Sequence, residues 1–267
     1  SSYIQRMLSL LGMEGCRVAR TPFPPGLKLG SGATDIEQNR RGYADFRRKY
    51  QQGVGCLIFV STEIRCDISF AVGQLARFMS CPTSEHMQAL KHVLRYLSGT
   101  PKYGIVFDSN GNRVPIGYSD SSYALCPMTA RSPGGYVMFL ANGPISWKAL
   151  TPRVVSQSSA EAELVILNES AREAQFVIEW LREIGCSISE SVPIHEDNET
   201  CRLSVTSGFA QSRIHHIRVR YYFVVYLVEQ GTILIESVNA DDNVVDIFTK
   251  ALGPIVFTKH RDAFVST

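Results

Sequence analysis

The run "GGYVMFLANGPISWKAL", residues 134–150, constrains the fold more than any other stretch of the chain. It consists of two apolar, β-patterned segments separated by Asn142-Gly143, a dipeptide that favours a tight hairpin. A third strand pattern, "RVPIGYSD" (113–120), precedes it, so three strands follow one another with little room for crossovers. After them, Ser158-Ser159-Ala160-Glu161 matches a capping box and opens a long helix to about Gly185. "SVPIHED" is a further strand. "NETCRLSVTSG" and "SRIHHIRVRYYFVVYLVEQG" are expected as helices, "TILIESVNA" as a strand, and "DDNVVDIFTKALG" as a capped final helix. Hairpin-connected strands followed by βα units predict an α/β fold with a mixed sheet flanked by helices.

The preceding residues have a different texture, and a boundary is expected near residue 110. Ile4, Met7, Leu8 and Leu11 share one helical face. "TPFPPGLKLGSG" (21–32) is a Pro/Gly-rich connector, and Asp35–Tyr50 is dense in charge, a solvated helix or loop. "GVGCLIFVSTEIRCDISFAVGQLARFM" is apolar enough for one buried helix. "PTSEHMQALKHVLRYLSGT" is amphipathic: Thr83 or Ser84 can cap it, Gly99 can end it, and Met87, Leu90, Leu94 and Leu97 form a stripe.

Composition removes several function classes. The net charge of the 267 residues is only +2, so any basic footprint must be local. The 7 cysteines are scattered without a CxxC pair, which points to reduced intracellular thiols rather than a disulfide framework or zinc site. No stretch approaches the roughly 20 apolar residues needed to span a bilayer. The N-terminus lacks an initiator Met and a signal-peptide pattern, as if cut from something longer.

Chemistry concentrates in the acids. Asp120 ends an apolar run and Asp197 ends another, each at a predicted strand terminus. On the long helix, Leu164, Leu167, Ala171, Ala174, Ile178 and Leu181 form the buried stripe. Glu163 lies about 50° from its centre and Glu161 more than about 100° away. Glu161 is therefore assigned to the cap and solvent, whereas Glu163 leans toward the sheet, where a carboxylate is expensive without a cation. Asp246 falls in the first turn of the last helix. Singly, each acid has a structural reading as a cap or turn residue. As a set, they alternate between strand ends and first helical turns.

The motifs "IGYSDSSYA", "RSPGGYVMFLANGPISWKA", "SSAEAELV", "HEDNET", "RIHHIRVRYYF" and "NVVDIFTKAL" resemble the C-terminal reverse transcriptase–ribonuclease H region of copia-type LTR retrotransposon polyproteins. "GMEGCRVARTPFPPGLKL" and "DISFAVGQLARFMSCPTSEHMQALKHVLRYLSGTPKYGIVF" are similar to the part following the polymerase palm, so the resemblance covers nearly the whole chain. It implies a ribonuclease H-like mixed five-stranded sheet in the order 3-2-1-4-5, flanked by helices and preceded by a mainly helical thumb- or connection-like segment. On this reading residues 1–110 are the reverse-transcriptase remnant, 111–253 the nuclease domain and 254–267 a C-terminal tail. Asp120, Glu163, Asp197 and Asp246 match the family's catalytic, metal-binding acids. The polymerase Tyr-Xaa-Asp-Asp motif is absent from the sequence, so the chain is not expected to polymerise.

The implied activity is divalent-metal-dependent endonucleolytic hydrolysis of the RNA strand of RNA·DNA hybrids. Hard oxygen donors suit two Mg²⁺ or Mn²⁺ ions rather than zinc. Phosphate contacts are expected from Arg213, His215, His216, Arg218 and Arg220, the strongest local basic cluster, and from Arg153 ahead of the long helix. The remaining partner would be the polymerase portion of the same polyprotein, with no membrane involvement, in a cytoplasmic particle or the nucleus. Ser122 and Tyr123 stand where the family commonly has Asp and Trp, Cys66 where it has Pro, Arg218 where it has Asp and Tyr222 where it has His. These departures keep open an alternative, a non-catalytic hybrid-binding or scaffold remnant of a decayed element.

Overall fold

The computed structural model describes residues 2–125, 129–186, 188–207 and 217–266. Two compact units divide the chain, Val106–Lys250 and Ser1–Ile105 with Ala251–Thr267.

The unit Val106–Lys250 is built on five strands: β1 (Ile116–Ser121), β2 (Gly134–Leu140), β3 (Gly143–Leu150), β4 (Val192–Glu196) and β5 (Ile233–Ser237). Their spatial order is β3-β2-β1-β4-β5. β1 pairs antiparallel with β2 and β2 with β3, whereas β1–β4 and β4–β5 are parallel. This is the mixed sheet expected from the hairpin followed by βα units, in the ribonuclease H-like order that the family resemblance implies.

The hairpin turn lies one residue earlier than Asn142-Gly143 suggests. Leu140 pairs with Gly143, and the two loop residues are Ala141 and Asn142, both at positive φ (51° and 61°). That is the signature of a type I′ turn. Gly143 is kept for packing, since a Cβ there would meet the Phe107 ring at 2.5 Å.

Helix α6 (Ser159–Glu183) lies against β1 and β2 and contacts α7 (Glu199–Thr206) and α8 (Arg218–Glu229). Its predicted stripe is buried, and Leu164, Leu167 and Ala171 share one core with Met138, Ile194 and Tyr221. The expected final helix is instead a short turn, α9 (Asp246–Thr249), which contacts β1, β2 and β3.

The placement of α6 and α9 follows from Gly134 and Gly135. A Cβ at Gly134 would meet Ile166 of α6 at 2.3 Å, and one at Gly135 would meet Phe248 of α9 at 2.7 Å. Successive strand residues face opposite sides, so α6 and α9 cover opposite faces of β2. Each face comes close because neither position carries a side chain.

The other unit contains α1 (Ser2–Leu10), α2 (Asp35–Gln38), α3 (Tyr43–Glu63), α4 (Ser69–Ala76), α5 (Ser84–Gly99) and α10 (Pro254–Arg261). Tyr50, Val54, Leu57, Leu90, Leu94 and Leu97 are buried in it. The single helix expected across residues 53–79 is broken after Glu63. Arg65 is fully buried there, and its guanidinium donates to both Asp67 carboxylate oxygens at 2.8 Å and to the Thr100 carbonyl at 2.8 Å. A buried pair this well satisfied needs a local backbone break to turn Arg65 inward. Residues 254–267, expected as a tail, supply α10: Phe257 packs edge-on to Tyr96, and Ser266 bridges to Gly104.

Replacing Gly135 by Ala is expected to destabilise the β-sheet unit by about 1–3 kcal/mol, through overpacking against Phe248. Both tryptophans, Trp147 and Trp180, belong to that unit. Their fluorescence during urea unfolding reads the change directly, and an unshifted midpoint would show that α9 does not press on β2.

Candidate active site

Asp120 is the fifth residue of β1, paired in register with Gly135 of β2. Paired residues share a face, so Asp120 shares the α9 face with the bare Gly135. There the Thr249 hydroxyl donates to its Oδ2 at 2.7 Å. From the opposite face, α6 starts at the Ser158 cap, whose hydroxyl accepts the Glu161 amide, and this fixes Glu163 in the helix's opening turns. Asp197 follows the last residue of β4, immediately before the Asn198 cap of α7. One carboxylate oxygen from each of Asp120, Glu163 and Asp197 lies within 4.8 Å of the others.

Asp246 opens α9 and is buried beside them. Its Oδ1 is 2.6 Å from the Lys250 ammonium. The buried Asn243 ties the segment before α9 to β1, donating to the Ser119 carbonyl at 2.9 Å, and its side chain also hydrogen-bonds Asp197. Strand ends and helix starts thus bring four acids, spread over 127 positions of sequence, to one edge of the sheet (120 to 246, counted inclusively).

The electrostatics record what that convergence costs. Burial, then the neighbouring Glu196, Asp120 and Asp197, push Glu163 well above the ordinary carboxylate range, against a hydrogen bond from the Ser121 amide. Burial and Asp120 raise Asp197, opposed by the Lys250 charge and Asn243. Asp246 is pushed up to about 6 by burial, with the Lys250 hydrogen bond holding it down and Asp120 and Asp197 adding repulsion. Burial pulls Lys250 down, but its contact with Asp246 outweighs this and leaves it raised.

Glu163 Oε2 is buried and has no hydrogen-bond partner. A buried, unpaired oxygen on a carboxylate that has two others close by is a poor structural feature and a good ligand. With oxygen donors only, the set fits a hard divalent cation of the Mg²⁺ or Mn²⁺ kind. Asp120, Glu163 and Asp197 would hold it, and Asp246 adds a fourth carboxylate beside them.

Of the predicted basic residues, Arg153, Arg218 and Arg220 are among those described. Arg153 is exposed between β3 and α6. Arg218 is exposed at the start of α8 with its guanidinium 5.3 Å from the Tyr222 ring centre. Arg220 is half-buried, and its carbonyl accepts from Asn168 Nδ2 of α6 at 3.3 Å. Arg213, His215 and His216 lie outside the described residues. No helix among the described residues is long and apolar enough to cross a membrane.

No family model matches the chain. It is 33% identical to the retrovirus-related Pol polyprotein from transposon RE1 of Arabidopsis thaliana, over 96% of this chain and 17% of that protein. It is 30% identical to the corresponding polyprotein from transposon TNT 1-94 of Nicotiana tabacum, over 94% of this chain and 19% of that one. The chain belongs to the retrovirus-related Pol polyproteins of transposons. It spans less than a fifth of the length of either Pol relative. Among solved structures, the compost-derived LC11-RNase H1 is 11% identical over 51% of this chain and 93% of its own, with a TM-score of 0.41. At that distance it adds nothing to the strand order already described.

Two assignments from the sequence of this Pol segment need correction or addition. Glu161, assigned to the cap and solvent, does serve the cap but is only 4% exposed: its carboxylate folds back to accept the Gln157 amide. Glu196 was missed. It is fully buried, accepts from the Ser119 hydroxyl at 2.9 Å, and is pushed up to about 8, first by burial and also by Asp197 and Asp120. Its signal was its phase, because Val192, Ile194 and Glu196 alternate inward along β4.

A carboxyl whose folded pKa stands near 8, against an ordinary value of 4.5, contributes stability that is complete below about pH 4.5 and lost as pH rises through 8. Glu163 and Asp246 act in the same direction. In EDTA, stability should therefore fall from about pH 5 to 9 by a few kcal/mol, and Glu196→Gln should flatten that slope. Urea midpoints across the range test this; an equally steep loss in the variant would remove Glu196 as its source.

Proposed function

We propose that this chain carries the ribonuclease H activity of a transposon Pol polyprotein, cutting the RNA strand of RNA·DNA hybrids internally with divalent metal. The observation that carries this reading is the convergence of Asp120, Glu163 and Asp197, with one Glu163 oxygen buried and unpaired and Asp246 alongside. Membership of the Pol family and the 3-2-1-4-5 sheet support it.

The four carboxylates would be the catalytic and metal-binding residues. Two ions of Mg²⁺ or Mn²⁺ held by them would activate a water and stabilise the leaving 3′ oxygen. The scissile P–O3′ bond breaks as the water oxygen attacks phosphorus, leaving a 5′-phosphate and a 3′-hydroxyl. Thr249 keeps one Asp120 oxygen engaged and so orients the other. Glu196 and Ser119 hold each other behind the site and brace the C-terminal end of β4, from which Asp197 projects. Arg153, Arg218 and Arg220, with Arg213, His215 and His216, would contact the phosphate backbone. Selection of the RNA strand would rest on its 2′-hydroxyls. The helical unit, whose sequence resembles the region after a polymerase palm, would be thumb- or connection-like and grip the same duplex.

The test is cleavage of an end-labelled RNA·DNA hybrid in Mg²⁺ or Mn²⁺, beside duplex DNA and single-stranded RNA. Cleavage confined to the hybrid is expected, reduced at least about a hundredfold by Asp197→Asn. A folded wild-type protein that binds hybrid but never cuts it would leave a binding scaffold instead.

A further inference from the structure

The DIFTK stretch, Asp246 to Lys250, touches the carboxylate site through three side chains. Asp246 contributes an acid, Thr249 donates to Asp120, and Lys250 sits 2.6 Å from Asp246 Oδ1. One turn of helix brings the ammonium back over the acid, at i and i+4. The Lys250 side chain is 44% exposed while that of Asp246 is 10% exposed. The ammonium therefore bridges solvent and site, and its stem can swing outward without disturbing the core. Its charge also reaches Asp120 and Asp197, but its ion pair among the described residues is with Asp246.

Resting on the metal-dependent reading above, we propose that Lys250 is a built-in counter-cation that gates the second divalent ion. It holds Asp246 Oδ1 in the ion pair, and that oxygen becomes available as a ligand only when the ammonium moves away. Among the described residues, no cation lies within ion-pair distance of Asp120, Glu163 or Asp197, which take the first ion unhindered. A substrate phosphate, as an anion at the exposed rim, is the natural acceptor for the released ammonium, which couples binding of the second ion to substrate. Lys250 is thus a positioning residue that acts through Asp246.

Mn²⁺ titration of the full chain by calorimetry, without nucleic acid, reads this directly. Wild-type protein is expected to show one stronger and one weaker step. Lys250→Met should tighten the weaker step by about tenfold, because a like charge at ion-pair range is removed, and should leave the stronger step within about twofold. Lys250→Arg, which keeps the charge, should resemble wild type. In an Asp246→Asn background the weaker step should vanish and Lys250→Met should change nothing further. Weaker-step affinity that is unchanged or lowered in Lys250→Met overturns the gate while leaving the metal-dependent reading intact. No Mn²⁺ binding by folded wild-type protein overturns that reading, and the gate with it. Since Lys250→Arg retains bulk and charge, an Arg variant that behaves like Lys250→Met also overturns the proposal.

Discussion

Mutual repulsion among buried carboxylates is the constraint around which the β-sheet unit is arranged. Asp120, Glu163, Glu196 and Asp246 are all buried, and Asp197 is half-buried next to them. Like charges at this range and burial cost several kcal/mol unless neutralised. The structure opposes the cost piecemeal: the Lys250 ammonium on Asp246, the Thr249 hydroxyl on Asp120, the Ser121 amide on Glu163, and the Ser119 hydroxyl with the Asn198 amide on Glu196. Each of these donors comes from an element that also positions an acid. The apolar core beneath, where α6 packs over Met138 and Ile194, supplies the favourable burial that offsets the remainder.

Proximity of that kind also needs room for backbone. Gly134 and Gly135 let Ile166 and Phe248 approach β2 from its two faces, at distances no Cβ would tolerate. Gly135 is the register partner of Asp120, and Gly134 that of Ser121, whose amide serves Glu163. The absence of two side chains on β2 therefore allows the helices bearing Glu163 and Asp246 to close on the end of β1. A steric fact in one strand becomes the electrostatic geometry of its neighbour.

Most of this was legible where a local rule coincided with the tertiary demand. The stripe on α6 could be read because one face of that helix is continuously buried, and the mixed sheet because hairpin and βα connections leave few topologies, whereas the strand order was implied by the family resemblance alone. Glu163 stood out by angle on the helix. Reading failed where a residue served two purposes. Gly143 looked like half of a turn but is bare for Phe107, and the turn is made instead by Ala141, whose positive φ no propensity favours. The break after Glu63 was hidden because its cause is a long-range partner, the Thr100 carbonyl reached by Arg65. The exposure of Glu161, though not its place at the cap, was misjudged because a helical wheel gives a direction from the axis, and a first-turn side chain can fold back onto its own cap.

Glu196 and Asp197 show how adjacent acids take opposite roles. Strand alternation turns Glu196 into the core beside Ser119 while Asp197, one residue on, leaves the strand toward the cluster. Burial pushes Glu196 up to about 8, with Asp197 and Asp120 adding to the shift while the Asn198 amide and the Ser119 hydroxyl oppose it. It accepts from Ser119 and the Asn198 amide, which holds the end of β4 and so the base of Asp197. A leucine at this position would be cheaper to bury but would leave the Asn198 amide without its carboxylate partner. The burial that raises Glu196 is therefore the same feature that sets it between the two donors through which it braces the acid one residue on.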